Sequence, residues 1–407
     1  MGTRSSGKPV ITLLFSDTGG GHRAAAEAVI EAIHSEYGDA FATRMVDFLK
    51  EYAPWPLNLL PELYPSMVKS PDSWGKLFDL SNGLPQARFI TSVFWPYVRR
   101  AALRFAREHR REVLLSVHPL ANYFALRALG ESHLPYYTVV TDLVTAHAIW
   151  FDRRSELIFV PTSRARQRAL EVGMPPEKVC LAGQPVSIRY SLPAGDRRLL
   201  RSRLGWPQEK PVVLLVGGGE GMGPLATFAH AIDSSGLDMS QVVVTGRNAG
   251  LATDLKSAFW ENPTFIYGFV DDMPELMRAA DILVTKAGPG TIAEALSAGL
   301  PMLLYAKLNG QENGNVDFVV QEKVGVWAPD PALLVSTLRR WIEQPGERQA
   351  VAERCRRVAL PHSTRTIARV VGARAASIDL PPQRPWIQPL LPTRHVFPRL
   401  RPAAKKA

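Results

Sequence analysis

ITLLFSDTGGGHRAAAEA, residues 11–28, passes from an apolar run with strand character, through a glycine turn, into an alanine-rich stretch with helical character. A short run this rich in apolar residues is suited to a strand buried on both faces, as in a parallel sheet. Strand, glycine turn and helix in succession form the opening unit of a doubly wound α/β domain. The spacing predicts that the helix begins at about Ala24. PVVLLVGGGEGMGP at 211–224 restarts the same unit halfway along the chain. Further apolar runs alternate with helical patterns: ATRMVDF at 42–48, EVLLSV at 112–117, YYTVVTD at 136–142 and LIFVPT at 157–162 in the first half. QVVVTG at 241–246, TFIYGF at 264–269, DILVTKAG at 281–288 and LPMLLY at 300–305 continue the second. The alternation predicts two similar Rossmann-like halves, residues 1–187 and 188–375.

Two stretches depart from this plan. Residues 52–97 are crowded with Pro, Trp, Tyr and Leu, and an arginine-rich stretch from Arg99 to Arg111 follows. They read as a helical insertion near 52–111, facing either the domain or a membrane. Residues 376–407 form a basic, Pro-rich tail of the composition that does not build a core.

Composition narrows the class. At 407 residues the chain can bury two cores, and it has no apolar run near the ~20 residues that cross a bilayer. No signal peptide is read at the N-terminus, and two cysteines, Cys180 and Cys355, cannot make a disulfide framework. A reducing cytoplasm is the expected compartment. The net charge of +10 calls for an acidic partner, nucleic acid or an anionic membrane.

Three glycine turns precede helices: SDTGGGHRAAA at 16–26, GGGEGMGP at 217–224 and KAGPGTIAEA at 286–295. Such turns let main-chain N–H groups and a helix dipole meet an anion. None ends in Lys-Ser/Thr, which argues against a P-loop nucleotidase. Gly19, Gly21 and Ala24 fit the dinucleotide spacing, with Asp47 as its acid, but the second turn has Met222 where that fingerprint needs glycine. In the third turn Gly290 and Thr291 can meet a pyrophosphate while Glu294 offers a carboxylate to two ribose hydroxyls. Its alternative is a helix cap.

SDTGGGHRAAAEA, HPL at 118–120, VTDLVTAHAIWF at 140–151, GGGEGMGP, GF at 268–269, TKAGPGTIAEA and GQENGNV at 310–316 stand in order along the chain. Together they resemble the monogalactosyldiacylglycerol synthases, among the processive diacylglycerol glycosyltransferases. The resemblance runs from about residue 11 to 330. It implies a GT-B fold, two Rossmann-like domains facing a cleft, with the acceptor held by the first and the donor by the second. It also implies inverting, metal-independent transfer from UDP-galactose to diacylglycerol by an enzyme bound peripherally at the cytoplasmic membrane, with no nucleic-acid partner. Carried onto this chain, Gly218, Gly219 and Gly221 would line the diphosphate, Phe269 and Val270 would meet the uracil, and Gly290, Thr291 and Glu294 would hold phosphate and ribose. Gln311, Glu312 and Asn315 would face the sugar or diphosphate. Gly20, Gly21, His118 and His147 fall on the acceptor side. In one departure, His147 is followed by Ala148 and Ile149 before Trp150, where the family has His-Pro and then Trp two residues on. Glucosyl or N-acetylglucosaminyl transfer, UDP-sugar epimerisation and a catalytically dead lipid- or nucleic-acid-binding protein are the rival readings.

Inverting transfer needs a base for the acceptor hydroxyl and charge stabilisation for the departing diphosphate. The sequence has no Asp-x-Asp pair or clustered histidines at metal-ligand spacing. His22, behind three glycines at a helix start, is the leading base or phosphate-side donor. Asp142, at a strand's carboxyl end, is the rival base. His118 and His147 either position the acceptor or serve structure.

Overall fold

The protein is seen in a computed structural model that describes residues 8–18, 20–67, 71–130, 135–192, 195–221 and 223–378. Gly19, Met222, the indole of Trp74 and the basic tail from Asp379 lie outside that description.

Apolar runs become two parallel sheets. The first holds β1 (Val10–Phe15), β2 (Ala42–Asp47), β3 (Val113–Ser116), β4 (Tyr136–Val139), β5 (Leu157–Val160) and β6 (Val179–Leu181), ordered β2-β1-β3-β4-β5-β6. The second holds β7 (Val212–Val216), β8 (Ser240–Val244), β9 (Thr264–Tyr267), β10 (Ile282–Lys286), β11 (Met302–Ala306) and β12 (Gly325–Trp327), ordered β12-β11-β10-β7-β8-β9. Ile11, Leu13, Leu14, Val213, Leu214 and Leu215 are completely buried, as strands covered on both faces require. This is the pair of Rossmann-like domains expected from sequence. The short edge strands β6 and β12 were not anticipated, because three residues carry too little pattern to read.

Strand order fixes where a ligand can sit. The chain leaves β1 for β2 on one side and then crosses to β3 on the other; β7 likewise has β8 and β10 as its neighbours. At such switch points the loops diverge beyond the strands' carboxyl ends and open a crevice. All three glycine turns lie there, after β1, β7 and β10. The helix after β1 starts at Gly21 rather than Ala24, so His22 belongs to its first turn.

One boundary needs correction. The helix Ser363–Ala376, placed by sequence in the second half, packs on Gly21–Tyr37 of the first. Its Ile367, Ala368, Val371 and Ala375 share a core with Ala25, Ala26, Val29 and Ile33. Gly372 makes the approach possible: a Cβ there would lie 2.2 Å from Tyr37 Cε2. Glu36 anchors the contact through Arg365 at 2.6 Å and Arg369 at 2.7 Å. A cut by sequence position cannot register a helix that crosses back.

The insertion is helical: Leu60–Met67, Pro71–Ser81 and the long Leu84–His109. The long helix buries Ala87, Val98, Ala102 and Phe105 but leaves Phe89 71%, Val93 58% and Tyr97 48% exposed. Its neighbour reaches the second half, where a Cβ on Gly75 would meet Asn309 Cβ at 3.0 Å.

Candidate active site

A cleft of about 560 Å³ opens between the carboxyl ends of the two sheets, lined from both halves. On the first-half wall, His22 Nδ1 lies 2.8 Å from the main-chain oxygen of Val117 and 3.0 Å from Thr141 Oγ1. A carbonyl oxygen only accepts, so Nδ1 carries the proton of the neutral ring and Nε2 carries the lone pair. No described residue hydrogen-bonds Nε2. Burial lowers the His22 pKa, against the pull of the Asp142 carboxylate and the Val117 carbonyl. The result is an imidazole that stays neutral and basic at ordinary pH.

Asp142 is buried beside it with both oxygens engaged. Oδ2 accepts from Trp150 Nε1 at 2.6 Å and Oδ1 from Gln311 Nε2 at 3.2 Å. Burial raises its pKa, while the Trp150 bond and His22 oppose the rise. Because Gln311 belongs to the second half, this bond ties the two walls together. Gly314 N donates across the same divide to Thr145 Oγ1 at 3.2 Å.

The second-half wall presents the turn Gly217–Glu220, then Gly288 to Thr291, then Glu294. Gly218 sits at φ +76° and Gly221 at φ +59°, left-handed conformations suited to glycine. Gly221 does not line the cleft; a Cβ on it would lie 2.1 Å from Thr245 O, so its part is to let the turn close. Glu294 makes no side-chain cap to its own helix, and burial pushes its pKa up to about 7. Phe269 and Val270 stand at the rim, with the Arg247 guanidinium 4.6 Å from the centre of the Phe269 ring. Glu312 accepts from Lys286 Nζ at 2.9 Å and from Leu308 N at 2.8 Å.

Not every residue singled out from sequence faces the cleft. Gly20, Gly21, His22, Asp142, Gly218, Gly219, Phe269, Val270, Gly290, Thr291, Glu294, Gln311 and Glu312 do. Asn315 is buried behind it and donates Nδ2 to Ala287 O at 2.9 Å, holding the loop after β10. His118 is buried, contacts Thr18 Oγ1 at 3.0 Å and meets the His22 ring edge-on at 4.7 Å. His147 is absent from the lining. Its Nδ1 accepts from Ile149 N at 3.2 Å and Nε2 faces Ser81 Oγ at 3.1 Å, so it pins the turn to the insertion. Burial, then Arg168, brings its pKa down to about 4. Asp47, the acid of the dinucleotide reading, caps a helix through Lys50 N and accepts Ser16 Oγ.

Sequence reasoning passed over Lys286, Thr141, Arg247 and Tyr64. Lys286 was visible in the TKAGPG turn, two residues before its first glycine. Thr141 and Arg247 follow strands at their carboxyl ends, a usable signal. Tyr64 reaches the cleft from the insertion, and nothing in its local sequence announces it.

Comparison with known proteins agrees with this architecture. Residues 22–186 match the monogalactosyldiacylglycerol (MGDG) synthase profile, and residues 212–351 match the glycosyltransferase family 28 C-terminal domain. The fold is shared with Acinetobacter baumannii MurG (TM-score 0.55, 14% identity, 90% of this chain and 99% of that one). It is shared equally with the UDP-GlcNAc 2-epimerase of Neisseria meningitidis (TM-score 0.57, 14% identity, 90% and 99%). Fold and matched domains together define a GT-B glycosyltransferase. Spinacia oleracea monogalactosyldiacylglycerol synthase is 37% identical over 81% of this chain and 66% of its own length. Arabidopsis thaliana monogalactosyldiacylglycerol synthase 1 is 34% identical over 87% and 68%. The chain belongs to the monogalactosyldiacylglycerol synthase family and spans about two thirds of the length of these relatives.

Proposed function

We propose that the protein transfers galactose, with inversion, from UDP-galactose to the free hydroxyl of diacylglycerol, giving monogalactosyldiacylglycerol. One observation carries the reading: a neutral histidine with its Nε2 unbonded shares a cleft with two glycine turns at helix starts and with the Glu294 carboxylate. The names of the relatives supply galactose and diacylglycerol. Residues 8–187 serve the acceptor, 188–362 the donor. His22 takes the hydroxyl proton as that oxygen attacks C1 opposite the nucleotide. Asp142 supports the imidazolium that forms and holds Gln311 in place. Gly218, Gly219, Gly290 and Thr291 receive the diphosphate, Glu294 the ribose, Phe269 and Val270 the uracil, and Gln311 and Glu312 the sugar. His118 backs the histidine ring from behind. Among the described residues no cluster of His, Cys, Asp or Glu is placed to hold a metal ion.

Diacylglycerol stays in the bilayer, so the cleft must come to it. No helix among the described residues is long and apolar enough to cross a membrane. The exposed apolar residues of the insertion, Trp55 at 72% and Phe89 at 71%, with the arginines from Arg99 to Arg111, suit docking to an anionic surface from the cytoplasmic side. Radiolabelled UDP-galactose and UDP-glucose, each with diacylglycerol in mixed micelles, test the reading. Galactolipid should form much faster than glucolipid; the reverse order, or sugar-nucleotide turnover that needs no lipid, would refute it.

A further inference from the structure

Lys286 ends β10, between the two glycine turns of the second half. Its side chain is only 20% exposed, and Nζ is held 2.9 Å from Glu312 Oε1. Both turns crowd it closely. A Cβ on Gly218 would lie 3.2 Å from Lys286 Cε, and one on Gly288 would lie 3.1 Å from Nζ. The ammonium therefore stands between the turn after β7 and the N-terminus of the Pro289–Ala298 helix. These are the elements whose main-chain N–H groups suit a diphosphate.

The other cations of the cleft are committed elsewhere. Arg23 makes a bidentate bond to Asp17, Arg189 pairs with Asp272, and Arg247 pairs with Glu220 while lying over Phe269 at the rim. Glu312, 4% exposed and fixed by Leu308 N, balances the Lys286 charge and aims it.

We propose that Lys286 is the catalytic cation that meets the departing diphosphate. The proposal rests on the UDP-sugar reading given above. As the acceptor oxygen bonds to C1, the bond from C1 to the diphosphate oxygen breaks and its electron pair stays on that oxygen. The hydroxyl proton goes to His22 Nε2. Lys286 remains an ammonium and donates a hydrogen bond to the charge that has developed. A donor placed where charge appears in the transition state acts on turnover as well as on binding.

Calorimetry with UDP and with uridine, beside turnover at saturating UDP-galactose, tests the assignment in wild type, Lys286→Met and Lys286→Arg. Lys286→Met should weaken UDP binding about 10- to 100-fold and leave uridine binding unchanged. Its turnover should fall about 10²- to 10³-fold, with partial recovery in Lys286→Arg. A folded Lys286→Met with wild-type UDP affinity and turnover would overturn the proposal. Equal losses for UDP and uridine would also do so, since they mark a general loosening of the cleft. The double variant Lys286→Met, Glu312→Gln covers misfolding caused by the orphaned carboxylate. It should still bind UDP weakly, and recovery of wild-type UDP affinity would reduce Lys286 to a partner of Glu312. Wild-type protein that does not bind UDP would bring down the donor reading itself.

Discussion

The Nδ1 of His22 sits 2.8 Å from the main-chain oxygen of Val117, and that contact decides which nitrogen is basic. β1 and β3 are neighbours in the sheet, so the loop leaving β3 brings Val117 under the first turn of the helix that follows β1. The geometry belongs to the backbone, which keeps the tautomer fixed whatever fills the cleft. His22→Ala should cut turnover about 10²- to 10⁴-fold with UDP affinity nearly intact. Burial lowers the His22 pKa and the Asp142 carboxylate opposes it, so the acid limb of kcat should lie below the ordinary histidine value. Asp142→Asn should move that limb lower still. If Asp142→Asn is inactive while His22→Ala turns over normally, the roles are reversed.

Glu294 gives a separate pH signature. Its carboxyl is pushed up to about 7 by burial, and ribose hydroxyls favour the charged form. Uridine, which does not itself titrate near neutrality, should bind more weakly as pH falls below about 7 in the wild type. Glu294→Gln should lose that dependence, bind more weakly at pH 8, and cost roughly one to two decades of affinity. The same shift bears on stability. A carboxyl raised from 4.5 to about 7 on folding makes the folded state bind more protons in that window, so stability falls as pH rises through it. Thermal unfolding without ligand should therefore show Glu294→Gln gaining stability over wild type above about pH 7 and not below 4.5.

The returning helix is testable through packing alone. Gly372→Ala places a methyl 2.2 Å from the Tyr37 ring, whose hydroxyl donates to Arg369 O at 2.9 Å. Overpacking of this kind costs about 1–3 kcal/mol. The thermal midpoint should drop, and proteolysis should release the C-terminal segment earlier than in wild type. An unchanged midpoint would mean that the two helices separate at no cost.

Membrane docking should depend on charge and on the insertion together. Sedimentation with vesicles containing phosphatidylglycerol should be strong, partly reversed by high salt, and weak with neutral vesicles. Replacing Phe89 and Val93 with Ser should weaken it further without altering UDP affinity. Equal, salt-independent binding to both vesicle types would leave the arginines no part in docking.

The sequence displayed the two sheets because ITLLF, Thr12 apart, and PVVLLV are apolar throughout, as strands buried on both faces of a parallel sheet require. It displayed the cleft because glycines cluster where a strand meets a helix. Edge strands β6 and β12 stayed hidden at three residues each. His147 was misleading for a related reason: sequence places it beside Asp142, but its two nitrogens are spent on Ile149 and Ser81. Asn315 shares the motif of Gln311 and Glu312 yet lies inside the helix Asn313–Gln321 rather than in the turn before it, and it reaches the loop behind them, which no motif states. Tyr64 enters the cleft by tertiary packing of the insertion, which local pattern does not encode.

The most direct measurement is the structure of the product. Incubating the protein with UDP-galactose, diacylglycerol and anionic lipid, then reading the anomeric proton of the purified glycolipid by NMR, tests donor, acceptor and stereochemistry at once. With His22 taking the hydroxyl proton as that oxygen attacks from the face opposite the nucleotide, the account requires a single β-galactosyl residue on the glycerol hydroxyl. An α linkage, glucose in place of galactose when both donors are offered, or free sugar with no lipid product would contradict it.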